Sequence, residues 1–262
     1  MKTIVVKIGG STLGSHDSTL GDLVALQKQG AQLVVVHGGG RTISEWLTKQ
    51  GLPTRFVRGL RVTDAASLEV VVAVLAGLVN KELVSAINLL GGKAVGLSGV
   101  DGGLIEVEVR DPELGLVGEV TGINPEPVHA LLTAGYMPVI ASLGLERGSE
   151  DGKSGGTRNI NADTVAGDMA LALGAERLVF LTDVPGVCDQ SGQLLPHLTP
   201  QQAQELVASG VVSGGMIPKV EACVKALTAV KEAQILDGRQ AHALRDGLDS
   251  EGLGTTIKGS RT

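Results

Sequence analysis

Aromatic side chains are nearly absent, with one Trp, one Tyr and two Phe among 262 residues. The core must therefore be built mainly from Val, Leu, Ile and Ala. The hydrophobic share of 43% is ordinary for a globular chain and excludes wholesale disorder. Cysteine is scarce: Cys188 and Cys223 lie far apart and belong to no CxxC or Cys/His cluster. That pattern argues against structural zinc and against a disulfide framework. Basic charge is not in excess, since the formal net charge is -6. The electrostatic footprint of a general nucleic-acid binder is missing, so no nucleic-acid partner is expected. No apolar run reads as long and unbroken enough to cross a membrane. Met1 to Lys7 lead straight into a strand pattern, not a signal peptide. A cytoplasmic location is the default expectation.

Two common signatures are missing as well. The P-loop spacing GxxxxGK[ST] does not occur, and no GxGxxG follows the first strand. The second absence counts against a dinucleotide-dependent oxidoreductase.

Glycine is abundant, at 38 residues. It shows no collagen-like period and gathers in short turns after apolar runs, as backbone does when it must approach a ligand. Strand-like runs alternate with helical spacing. Strands are expected at Thr3–Ile8, Gln32–His37, Ala94–Ser98, Met137–Ser142, Arg177–Thr182 and Ala233–Leu236. Helices are expected at Asp17–Gln29, Thr42–Gln50, Ala65–Leu90, Pro125–Ala134, Ala162–Leu173, Pro200–Ser209 and Pro218–Val230. Leu104–Arg110 and Gly118–Thr121 read as a hairpin excursion, and Gly148–Arg158 as an exposed polar loop. Apolar strands without strict alternation suit a parallel sheet covered on both faces. The alternation then predicts an α/β fold, a three-layer αβα sandwich, with ligands beyond the carboxyl ends of the strands.

Five segments carry candidate chemistry. In VVKIGGS, Lys7 ends a buried strand and precedes Gly9 and Gly10, where bare backbone can approach phosphate oxygens. In VVVHGGG, Gly38, Gly39 and Gly40 precede a helix, and free N–H groups at a helix start form an anion site. His37 reads as a loop-holding hydrogen bonder in preference to an acid or base. In GLRVTD, Thr63 or Asp64 can cap a helix, and Arg61 offers a planar fork for a carboxylate. In RNINADT, Asn159 can donate to a carboxylate and Asp163 sits near a helix start. LTDVPGV reads as a tight turn after a strand. Downstream, SGGMIPK puts Lys219 in the first turn of a helix. Its charge has the wrong sign for that place unless a polyanion binds there. Each segment alone also fits a plain turn, cap or solvated side chain.

The ordered set KIGGS, HGGG, GLRVTD, NINAD, LTDVPGV and GGMIPK resembles the amino acid kinase family, over nearly the whole chain from Lys7 to Lys219. Within that family it resembles the branch that phosphorylates N-acetyl-L-glutamate with ATP. The resemblance implies a mainly parallel central sheet of about eight strands in a single amino acid kinase domain, 1–262. An N-lobe, about 1–174, would hold the acyl amino acid, and a C-lobe, about 175–262, the nucleotide. Lys7 and Lys219 would stabilise the phosphoryl group in flight and the departing ADP, and Asp163 would orient both. Gly9, Gly10 and Gly39 would give N–H groups to the phosphoryl group. Gly39, Gly40, Arg61 and Asn159 would hold the substrate. Asp183, Val184, Pro185, Gly186, Val187 and Cys188, with Val211, Val212 and Ser213, would line the nucleotide site. Mg²⁺ would arrive with ATP, and no dedicated protein metal ligands are expected.

Chemistry agrees with this division. A γ-carboxylate is ionised at neutral pH and needs no general base. The obstacle is repulsion between an anion and a polyanion, which positioning and positive charge relieve. A relative in lysine biosynthesis acts on carrier-protein-linked α-aminoadipate, but tends to carry an aromatic residue after the arginine of the third motif. Here Val62 follows Arg61. A non-catalytic nucleotide or amino-acid sensor of the same fold should have lost a charged position, yet Lys7, Asp163 and Lys219 are present. Arginine-inhibited members carry an extra N-terminal helix. Only six residues precede Lys7, so a homodimer with weak or absent arginine inhibition is expected, with Ala65–Leu90 as its candidate surface. Binding of a PII protein is left open.

Overall fold

The computed structural model describes residues 3–9, 18–148, 155–249 and 252–259. The chain begins β1 (Thr3–Ile8), α1 (Thr19–Lys28), β2 (Gln32–His37), α2 (Gly40–Lys49), β3 (Phe56–Val57) and β4 (Leu60–Arg61). Then come α3 (Ala65–Val72), α4 (Asn80–Leu89), β5 (Ala94–Ser98), β6 (Ile105–Glu108), β7 (Glu119–Ile123), α5 (Glu126–Thr133), β8 (Met137–Ala141), β9 (Leu143–Glu146) and β10 (Gly156–Asn159). The last part holds α6 (Ala162–Ala172), β11 (Arg177–Thr182), β12 (His197–Leu198), α7 (Pro200–Ala208), α8 (Met216–Ala226), β13 (Glu232–Asp237), α9 (Ala243–Asp249) and β14 (Thr255–Lys258).

Aliphatic and β-branched runs place β1, β2, β5, β8, β11 and β13 at the centre. The main sheet has eight strands in the order β12-β14-β13-β11-β1-β2-β8-β5. Its neighbours run parallel except β13 and β14. Side chains alternate between faces along each strand. Ile4, Val6, Ile8, Leu33 and Val35 pack with Leu23 of α1, Leu47 of α2, Leu83 of α4 and Leu244 of α9. Val5, Val34 and Val36 pack on the other face with Val128 of α5, Val165 of α6 and Val220 of α8. These two cores with one sheet between them make the three-layer sandwich. The same alternation sends Lys7 to the α6 face.

A smaller sheet, in the order β10-β9-β6-β7, continues from β8. The expected hairpin is present as the antiparallel pair β6 and β7. The exposed loop expected over Gly148–Arg158 is corrected in part. Residues 149–154 lie outside those described, but Gly156–Asn159 pairs antiparallel with Leu143–Glu146. Arg158 is buried there and forms an ion pair with Glu146. A charged residue that looks solvated in sequence is thus enclosed by its strand partner.

The expected long helix is continuous from Ala65 to Leu89, but a π-helical stretch, Ala73–Val79, joins α3 to α4. By length and composition this rod could cross a membrane, contrary to the sequence expectation. Its apolar stripe has another explanation, since Val71, Val74, Leu75 and Ile87 pack into the core. Asp64 accepts from Ser67 N at 2.8 Å and caps α3. Helix α8 starts at Met216, two residues before the expected Pro218, because proline needs no N–H partner in a first turn.

Candidate active site

The carboxyl ends of β1, β2 and β8 open onto the N-terminus of α6. Asn161 caps α6, accepting from Asp163 N at 2.8 Å and Thr164 N at 3.1 Å. The cap turns the Asp163 side chain back toward β1, where the helix dipole favours its charge. Lys7 Nζ lies 2.8 Å from Asp163 Oδ1, and Lys219 Nζ lies 3.0 Å from Oδ2. Lys219 Nζ also donates to Gly215 O at 3.1 Å, across the first turn of α8. Burial alone would raise the Asp163 carboxyl, but the two ammonium groups more than offset it and hold the carboxyl below its ordinary value. One buried carboxylate therefore aligns two cations, one from strand β1 and one from helix α8.

Helices α6 and α8 can set this spacing because Gly167 lets them approach. A Cβ there would meet Ala222 Cβ at 2.9 Å and Ala222 O at 3.0 Å.

Opposite the lysines, Gly38, Gly39 and Gly40 make the turn from β2 into α2. The first N–H groups of α2 have no partner within the helix. A Cβ on Gly38 would lie 3.4 Å from Ala162 Cβ, so the turn packs against the start of α6. His37 is fully buried below it, with Nδ1 3.0 Å from Gly38 O and Nε2 3.0 Å from Asn80 Nδ2. Burial lowers its pKa to about 4, so the ring is neutral at physiological pH and does not supply a charge. It takes the loop-holding role that the sequence suggests.

Arg61 arrives on the β3–β4 hairpin, whose turn uses positive φ at Arg58 and Gly59. Its Nη2 donates to Gly40 O and to Ser44 Oγ, each at 2.8 Å, and the guanidinium stacks 4.8 Å from the Phe56 ring centre. Nη1 is buried and has no hydrogen-bond partner among the described residues. A buried donor of this kind is costly unless a ligand supplies the acceptor. Asn159 Nδ2 donates to Thr63 Oγ1 at 3.1 Å, and Thr63 Oγ1 donates to Arg61 O at 3.1 Å. Lys7, Gly39, Gly40, Arg61, Asn159 and Asp163 thus border one cavity of about 190 Å³. Val117, Ile160 and Asn161 are shared with an adjoining cleft of about 890 Å³ between the small sheet and helices α6 and α8.

Two glycines of the first motif stand differently. Gly9 N donates to Leu181 O at 3.2 Å, which extends the β1–β11 ladder and engages that amide. Gly10 lies outside the described residues. The expected nucleotide segments are also divided. Asp183, Val184, Pro185 and Ser213 are exposed, whereas Val187 and Val212 turn into the core. Val187 N donates to Thr255 Oγ1 at 2.8 Å, and a Cβ on Gly186 would meet the same oxygen at 2.6 Å. Val187 and Val212 therefore shape the segments from below and offer no side chain to a ligand. Ser44, Thr63 and Asn80 were not legible as site residues, because each acts through a partner distant in sequence, and Phe56 was not, because only the hairpin pairing sets it against Arg61.

Comparison with known proteins agrees with this geometry. The model of the amino acid kinase family matches residues 2–237. An acetylglutamate kinase of Dehalococcoides mccartyi is 48% identical over 256 residues, covering 98% of this chain and 94% of that protein. The crystal structure of smu.665 from Streptococcus mutans UA159 superposes with a TM-score of 0.83 at 32% identity, covering 98% of this chain and 99% of that one. N-acetylglutamate synthase from Neisseria gonorrhoeae, solved with coenzyme A and N-acetyl-glutamate, gives a TM-score of 0.84 at 27% identity. It covers 100% of this chain and 60% of that one. With the motif order, the eight-stranded sheet and the family match in agreement, this chain belongs to the amino acid kinase family.

Proposed function

We propose that this chain transfers the γ-phosphoryl group of ATP to the γ-carboxylate of N-acetyl-L-glutamate. The products are N-acetyl-L-glutamyl 5-phosphate and ADP, and the step belongs to arginine (ornithine) biosynthesis. The observation that carries the reading is the convergence of Lys7 and Lys219 on the buried Asp163, beside a glycine turn and an arginine with an N–H that has no partner among the described residues. The high identity to an acetylglutamate kinase over 98% of the chain supports the choice of substrate.

The nucleophile is a carboxylate that is already ionised, so no side chain takes a proton. Arg61 and Asn159 hold the α-carboxylate, and Arg61 Nη1 gains its missing acceptor. Lys7 and the N–H group of Gly39 neutralise the phosphoryl group in flight, and Gly39 and Gly40 also contact the acyl amino acid. Lys219 neutralises the charge that grows on the departing ADP. Asp163 stays ionised and fixes both ammonium groups in place before reaction, which lowers the reorganisation needed in the transition state. Mg–ATP is the phosphoryl substrate. Both Asp163 oxygens face lysines, so Mg²⁺ would arrive with ATP and would not take this carboxylate as a ligand. The lobe before about residue 175 takes the acyl amino acid, and the lobe after it takes the nucleotide along Asp183–Cys188 and Val211–Ser213.

A second reading, carrier-protein-linked α-aminoadipate as substrate, is favoured by one observation. The cleft of about 890 Å³ shares a wall with the small cavity and has room for a larger acyl group. Steady-state ADP release with Mg–ATP and N-acetyl-L-glutamate, L-glutamate or N-acetyl-α-aminoadipate separates the readings. Strong preference for N-acetyl-L-glutamate is expected. Preference for the longer acid would move the assignment to the carrier-linked reaction.

A further inference from the structure

We infer that Asn80 is a positioning residue for the reaction, acting through His37 to aim the Gly39 amide. The inference rests on the reading that the Gly38–Gly40 turn binds the reacting groups.

Asn80 comes directly after the π-helical stretch Ala73–Val79, and such turns widen a helix and shift the phase of the residues beyond them. Leu75 and Val79 of that stretch press against the glycine turn. A Cβ on Gly39 would meet Leu75 Cδ2 at 2.8 Å and Val79 Cγ2 at 3.5 Å. The Asn80 side chain is buried under the sheet. Its Nδ2 reaches Val139 O at 2.8 Å, His37 Nε2 at 3.0 Å and Leu97 O at 3.3 Å, while Oδ1 accepts from Lys81 Nζ at 3.0 Å. Gly96 leaves room for it, since a Cβ there would fall 1.9 Å from Asn80 Oδ1.

The direction of these bonds follows from the partners of the amide. Two carbonyl oxygens and an ammonium group allow only one orientation of the amide, with NH₂ toward the carbonyls and His37. An amide nitrogen can only donate and has two hydrogens, for which Val139 O at 2.8 Å and His37 Nε2 at 3.0 Å are nearer than Leu97 O at 3.3 Å, and a proton on Nε2 would face a donor, so Nε2 accepts. The neutral ring then carries its proton on Nδ1, and Nδ1 donates to Gly38 O at 3.0 Å. In a planar trans peptide the C=O of Gly38 and the N–H of Gly39 point in opposite directions. Holding the carbonyl down on His37 therefore turns the Gly39 N–H away from the ring, toward the cavity. Lys81 and Lys7 are the charged groups that bear on the ring, and both oppose its protonation. With the other tautomer, Nδ1 would face the Gly38 carbonyl as a second acceptor and push the peptide out of place.

The test combines spectroscopy with kinetics. In ¹⁵N-histidine-labelled protein, with His37→Asn used to assign the signal, His37 should be neutral with its proton on Nδ1. Asn80→Ala should abolish that preference. It should lower kcat by about tenfold or more through a misplaced amide, and leave KM for Mg–ATP within about twofold. The His37→Asn amide can itself donate to Gly38 O, so in that background Asn80→Ala should cost less than about threefold further. A proton on Nε2 in the unmodified protein overturns the inference. So does a folded Asn80→Ala with full kcat, or strictly additive losses. If Asn80→Ala does not fold, the spectrum of the unmodified protein decides alone. A protein that turns over none of the acylated amino acids defeats the functional reading, while the tautomer still decides this one.

Discussion

At the scale of single residues, the site is a set of groups whose ordinary tendencies are overridden by neighbours. Asp163 is buried yet ionised, because two ammonium groups offset its desolvation. His37 goes the other way, because burial and two lysines keep it neutral down to a pH of about 4. That shift has a consequence for stability. The folded value lies below the unfolded 6.5, so the unfolded chain takes up the proton first as pH falls. The contribution is complete above about pH 6.5 and declines toward about pH 4. Urea unfolding at pH 7.5 and pH 5 should show a loss of about 2 kcal/mol in the unmodified protein that His37→Asn lacks. An equal loss in both proteins would remove His37 as its source. Lys7, Arg61, Asn159 and Asp163 were legible in the sequence because each sits in a local motif at an element end. Arg158 was not, since its meaning comes from Glu146 on the partner strand. The inward turn of Val187 and Val212 was hidden for a similar reason, because long-range packing decides it.

At the scale of elements, strand ends and helix starts place the chemistry, and close approaches set the distances. Strand periodicity sends Lys7 to the α6 face, and the Asn161 cap turns Asp163 to meet it. The central strands and most helices were legible because their apolar runs and turn residues are local signals. The short strands β12 and β14 gave no such signal, and β14 is fixed by antiparallel pairing with β13. The π-helical stretch was equally hidden, because Ala-Val-Leu-Ala-Gly-Leu-Val suits an ordinary helix. The contact between α6 and α8 is the sharpest structural requirement. Gly167→Ala adds a methyl group where Ala222 already stands, which should cost about 1–3 kcal/mol as overpacking. It should also lower kcat, since α6 carries Asp163 and α8 carries Lys219. Thermal unfolding and kcat measured together check this. Unchanged values for both would show that the helices part without moving the ion pairs.

At the scale of the whole molecule, the sheet joins two regions that bring different charges to one point. Lys7 comes from β1 near the start of the chain and Lys219 from α8 near its end, and Asp163 lies between them in sequence and in space. We propose a homodimer with the long helix Ala65–Leu89 at or near its surface, where Leu89 and Leu90 are exposed apolar side chains. Multi-angle light scattering should return twice the chain mass, and Leu89→Glu should lower it. A monomer at all concentrations would count against the proposal.

The central claim is transfer of a phosphoryl group to a carboxylate by this pair of lysines. The most direct measurement is trapping of the acyl phosphate with hydroxylamine, in the presence of Mg–ATP and N-acetyl-L-glutamate. Hydroxamate should form with the unmodified protein and fall by about a hundredfold or more in Lys7→Ala and in Lys219→Ala, each still folded. ATP consumption without hydroxamate, or hydroxamate formed at full rate by either folded variant, would contradict it.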